Sequence, residues 1–154
     1  MRAISSALIR LGLIVVVFVL VRAGCQPETQ VERRNIRLTQ TWELQPGDRV
    51  GKYAVIGGLG DISIELKGNT IYAPFNGQVQ PFRSDCVVFS SDEVPAYLFR
   101  LCGLKRPQLG GVESGQPIGS GEYLQFATLR KQPGGTWSFV EPSRNILERT
   151  LTKP

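Results

Sequence analysis

The chain has 154 residues, enough for one domain with a proper core and short of two, and its 18 Lys/Arg against 13 Asp/Glu give a formal net charge of +5. It contains no histidine, which excludes a Ser-His-Asp hydrolase despite several serines. Arg2, Arg10 and Arg22 all precede the first acidic residue, so the rest carries 15 basic and 13 acidic residues, a net +2 that is no argument for a nucleic-acid partner.

Residues 1–25 differ from everything after them. Arg2 and Arg10 lead into an apolar run from Leu11 to Val21, followed by Arg22-Ala23-Gly24-Cys25. A basic start, a short apolar stretch and small residues behind it describe a secretory signal or N-terminal anchor. The run is shorter than the ~20 apolar residues that cross a bilayer unaided. Ala23-Gly24-Cys25 resembles the end of a bacterial lipoprotein lipobox, which implies lipidation of Cys25. Arg22 departs from that motif, and the other reading is an uncleaved anchor with an incidental cysteine. Both attach the chain to a membrane through its N-terminus, on the extracytoplasmic side. Residues 26–40, with Glu28, Glu32, Arg33, Arg34 and Arg37, lack apolar periodicity and read as a polar tether.

From residue 41 to 154 short β-rich runs alternate with Gly and Pro. Their composition and alternation predict strands at Tyr53–Ile56, Asp61–Leu66, Thr70–Ala73, Gly77–Pro81, Cys86–Ser90, Ala96–Leu101, Gln116–Ile118, Tyr123–Arg130 and Trp137–Val140. One short helix is predicted over Pro142–Leu151, with Ser143 as its N-cap. Such a series points to an all-β antiparallel sandwich or barrel. Along Tyr123–Arg130, Leu124, Phe126 and Thr128 fall on one face and Tyr123, Gln125 and Ala127 on the other. Trp137 and Phe139 alternate as well and are expected in the core, exposed binding aromatics being the other reading.

Cys86 and Cys102 flank the turn Ser90-Ser91-Asp92-Glu93-Val94-Pro95. A hairpin centred near Val94 sets them opposite each other, which suits a disulfide in an oxidising compartment, with two buried thiols as the alternative. Two sulfurs without imidazole make no zinc site. The adjacent acids Asp92 and Glu93 are expected to be a solvated turn rather than a catalytic pair.

KGNTIYAPFNG (67–77), VESGQPIG (112–119) and GEYLQFATLR (121–130) resemble, in this order, motifs of the M23 (LytM/lysostaphin-like) zinc endopeptidases. The likeness covers about 48–147. It implies a compact antiparallel β domain with a groove along one sheet, and in the family that groove holds a zinc on two histidines and an aspartate. Here Asp61 matches the aspartate position, but Gly57 stands at the paired histidine, Tyr123 and Gln125 at the later His-x-His, and Tyr97-Leu98-Phe99 at a Tyr-x-His. Hydrolysis needs three protein ligands and an open position for water. One carboxylate does not meet that requirement. The expectation is a chain that keeps the shape without the enzyme activity, has no cofactor, and carries Asp61 as a solvated or turn-capping carboxylate.

The resemblance then implies binding in place of cleavage, through a groove around Asp61, Tyr97, Tyr123 and Gln125, with peptidoglycan or a cell-wall enzyme or other envelope protein as partner, on the outer side of a bacterial membrane. A plugged groove is the alternative at the residue level. Ile71-Tyr72-Ala73-Pro74-Phe75-Asn76-Gly77-Gln78-Val79 also resembles the hammerhead of biotinyl/lipoyl-like modules. That likeness implies a second function, a small structural or assembly subunit of a membrane complex. A carrier would need a lysine beside methionine at a hairpin tip, and Met1 is the sole methionine.

Overall fold

The computed structural model describes residues 34–35, 42–83 and 85–153. Contacts divide the chain after Leu38, and the fold below is that of the second unit, Thr39–Pro154. The expected signal or anchor at 1–25 with Cys25, and the tether at 26–40 apart from 34–35, lie outside the described residues. No helix among the described residues is long and apolar enough to cross a membrane.

Strands β1 (Arg49–Val50), β2 (Tyr53–Gly58) and β3 (Ile62–Glu65) form a meander. After β4 (Thr70–Tyr72) the chain makes β5 (Gly77–Pro81), β6 (Cys86–Ser90) and β7 (Tyr97–Cys102), again each paired with the next. Then follow β8 (Gly110–Val112), β9 (Pro117–Ser120), β10 (Tyr123–Lys131), β11 (Trp137–Val140) and the helix α1 (Arg144–Leu151). The main sheet runs β1-β2-β3-β10-β7-β6-β5-β8, and β11 pairs with β10 beyond the end of β3. A separate ribbon joins β4 to β9. All pairings are antiparallel, as the expectation of an antiparallel all-β domain has it.

β10 is the spine of the sheet because its alternation is clean. Leu124, Phe126 and Thr128 are buried on its inner face, in register with Ile64, Ile62 and Phe99 of the neighbouring strands. The inner face gathers Phe126, Phe89 and Phe75 around Phe99, with ring centroids 5.8, 6.1 and 6.5 Å from that of Phe99. Such tilted pairs at 4.5–7 Å are favourable aromatic geometry. Helix α1 packs on β4 and β1, burying Leu147, Thr150 and Leu151. Eight residues are too few to hold a helix in isolation, so this apolar stripe is what stabilises it.

Ser143 sits at the N-cap of α1 in extended conformation, but its side chain makes no cap bond. The end is fixed from the other side. Arg144 donates to the Arg49 carbonyl at 3.0 Å and pairs with Glu43 at 3.4 Å, and the Glu141 carboxylate accepts from the Glu43 amide. β1 and β8 were not predicted. β1 is two residues inside a Gly-containing turn, and β8 contains two glycines, which are poor strand formers and pair here only at the edge with Gly77–Val79. Gly77 itself meets the sheet at its closest point: a Cβ there would lie 2.1 Å from the Ser90 carbonyl oxygen and 2.8 Å from the Phe89 ring.

Candidate functional site

Because side chains alternate along a strand, the partners of the core residues point to the outer face of the main sheet, and the register puts them in rows. One row runs Gly57, Ser63, Gln125, Cys102, Cys86 across β2, β3, β10, β7 and β6. The next contains Ala127, Arg100, Val88 and Gln80, and the one beyond it Phe139, Leu129, Leu98, Ser90 and Gln78. Tyr123, opposite Glu65, lies at one end of this face and Trp137, opposite Lys131, at the other.

Asp61, Tyr123 and Gln125 therefore come together on one face, with Gly57 beside them. Tyr97 does not. It has the parity of Phe99 and Leu101, is partly buried, and packs against the core cluster. It lines a cleft of about 600 Å³ whose other walls include Gln78, Ser90, Leu98, Asp92 and Trp137.

The centre of the face is an ion pair. Arg100 Nη2 donates to Asp61 Oδ2 at 3.1 Å, and both side chains are only about a quarter exposed, at 24% and 22%. Asp61 immediately precedes Ile62, the partner of Phe126, and Arg100 is the partner of Ala127. Ala127 is fully buried although it lies on the outer face. Its methyl group leaves the room above β10 that the guanidinium and carboxylate take up. Arg100 also lies over the Phe139 ring at 5.1 Å, a cation–π contact. Asp61 is thus neither a solvated carboxylate nor a turn cap, but one end of a bridge across three strands. The sequence held a sign of this: Arg100 alternates with Phe99 and Leu101 inside a strand, so a charge is aimed outward from its middle.

At the edge of the same row, Cys86 and Cys102 are joined, with S–S 2.01 Å and Cα atoms 4.1 Å apart. The separation is that of the closer kind of facing pair in an antiparallel ladder. Trp137 and Phe139, expected in the core, are 37% and 49% exposed. β11 pairs only the last four residues of β10, Thr128–Lys131, and three of its own four residues are exposed, so alternation alone does not tell which of its faces is buried.

No family model matches the chain, and no curated protein matches it.

Among the described residues no three His, Cys, Asp or Glu side chains come close enough to hold a metal ion. Of the residues that the sequence likeness put forward for zinc, Gly57 has no side-chain donor, Gln125 offers a neutral amide, and the Asp61 carboxylate is already held by Arg100. These residues do not fit the metal, because each supplies too weak a donor, none at all, or one committed elsewhere. What the face offers is a self-neutralised centre with side-chain amides and half-exposed rings around it.

Proposed function

We propose that this chain is a non-catalytic binding domain with an M23-like layout, tethered at the outer side of a bacterial membrane, and that it holds cell-wall peptidoglycan on the outer face of its main sheet. The observation that carries the reading is the meeting of Asp61, Tyr123 and Gln125 on one open face, in the rows set by β3 and β10, with Arg100 bound to Asp61 where catalysis would need a metal ligand. An arginine there supplies a fixed positive charge to the carboxylate and removes it from coordination. Tyr123, 53% exposed, and Gln125, without a side-chain hydrogen bond among the described residues, stay available to a ligand. The motifs between 48 and 147 support the M23 likeness, and the apolar run at Leu11–Val21 supports the tether.

The test is co-sedimentation of the full-length chain with purified sacculi, beside a Tyr123→Ala/Gln125→Ala variant shown by circular dichroism to be folded. Both positions point away from the core, so the variant keeps its fold. Retention that the double substitution abolishes supports the reading. Equal retention of both proteins moves the binding surface elsewhere, and no retention of either turns the assignment to a protein partner or an assembly subunit.

A further inference from the structure

The outer face leaves three aromatic side chains open to water. Tyr123, Phe139 and Trp137 are 53%, 49% and 37% exposed, and the register lines them along β10, from opposite Glu65 to opposite Lys131. At the usual ~3.3 Å rise per strand residue the stretch from Tyr123 to Leu129 is about 20 Å long. We propose that this face is a saccharide platform, on which a neutral glycan chain lies along β10 and ends in the cleft beside Trp137. The proposal deepens the envelope-binding reading above and rests on it.

Three features select a neutral glycan. The first is the rings. The C–H face of a pyranose is apolar and slightly electropositive and stacks on the negative face of an aromatic ring, leaving its hydroxyls to the rim. The second is the polar groups between the rings. Gln78, Gln80 and Gln125 share this face, and their side-chain amides have no hydrogen-bond partner among the described residues, so each offers an uncharged donor and acceptor to hydroxyl or acetamido groups. The third is the charge balance. Asp61 is neutralised by Arg100 at 3.1 Å and Glu65 by Lys67 at 3.3 Å, which leaves Lys131 and Asp92 at the Trp137 end. A charged ligand would find its counter-ions along the face already paired.

An extended peptide fits the same face poorly. Peptides that add to a sheet are read through main-chain hydrogen bonds at a free strand edge. β10 is flanked by β7 on one side and by β3 and β11 on the other, and β7 and β6 are paired on both sides too. Only side chains reach a ligand lying across these strands.

Titration of the full-length chain with N-acetylglucosamine hexamer and with cellohexaose, followed by intrinsic tryptophan fluorescence and calorimetry, tests this. Binding of the N-acetylglucosamine hexamer in preference to cellohexaose, changed little by added salt, and weakened about tenfold by Phe139→Ala or Trp137→Ala, is the expected result. Glu148→Ala, at an exposed position of helix α1 on β4 and β1, should leave it unchanged. Preference for cellohexaose would detach the platform from the cell-wall strand and overturn the proposal. Sacculi retained while neither hexamer binds would overturn the platform and leave the envelope-binding reading standing. Loss of both would overturn both. Binding that ignores Phe139 and Trp137, in variants with wild-type circular dichroism, would also overturn it.

Discussion

Arg100 is held by two neighbours of different kinds, a carboxylate and a ring, while its Nε is buried without a hydrogen-bond partner. Removing Asp61 would leave a largely covered cation with less to satisfy it. We predict that Asp61→Ala costs about 1–2 kcal/mol, above an exposed pair and below a fully buried one. In a double-mutant cycle with Arg100→Met the two losses should fall well short of adding, as they must if the residues act on each other. Additive losses in urea denaturation would contradict the bridge. A second residue decides more by what it lacks. Gly77→Ala puts a methyl group into the Ser90 carbonyl and the Phe89 ring, and since a backbone atom cannot step aside as a side chain can, the expected cost is about 2–3 kcal/mol. An unchanged melting temperature would show that β5 and β6 can separate there. The Asp61–Arg100 contact was not legible in the sequence, because its partners are 39 residues apart and meet only through the order of β3, β10 and β7.

The β6–β7 hairpin is the element that the sequence describes most fully. Alternating apolar residues either side of a Pro-containing turn put its centre near Val94, and the register follows. Its disulfide closes a loop with a sequence separation of 16, for which the chain-entropy relation gives about 3 kcal/mol. Reduction is expected to lower the denaturant midpoint accordingly while the far-ultraviolet spectrum stays β-like. A midpoint indifferent to reductant would show that the hairpin is fixed by its neighbours alone. The helix α1 makes a different case. Its caps contribute little, since Ser143 makes no side-chain bond, and its position depends on Leu147 and Leu151 set against β4 and β1. Leu147→Ala should cost about 2–4 kcal/mol; a loss under about 1 kcal/mol would mean that α1 is an ornament to the sheet. β1 and β8 escaped prediction because two residues, or two glycines and a valine, carry no periodicity. Their pairing comes from the strands beside them.

At the scale of the molecule, one long strand explains both the core and the site. β10 buries Leu124 and Phe126 inward and thereby presents Tyr123 and Gln125 outward, so the same alternation that makes the all-β fold readable also makes half of the candidate face readable. The other half was hidden for two physical reasons. Tyr97 has the parity of the core, which a motif match without a register does not reveal. Trp137 and Phe139 look like core residues in sequence, and only their place on a strand that overhangs the sheet leaves them open to water. The absence of histidine from the whole chain, with Arg100 closed on Asp61, makes binding without metal the central claim. Co-sedimentation of the full-length chain with dye-labelled sacculi, in chelator and again in added zinc, tests it most directly. The account predicts the same bound fraction in both and no dye released from the pellet. Binding that needs zinc, or soluble labelled fragments appearing with it, would contradict the account.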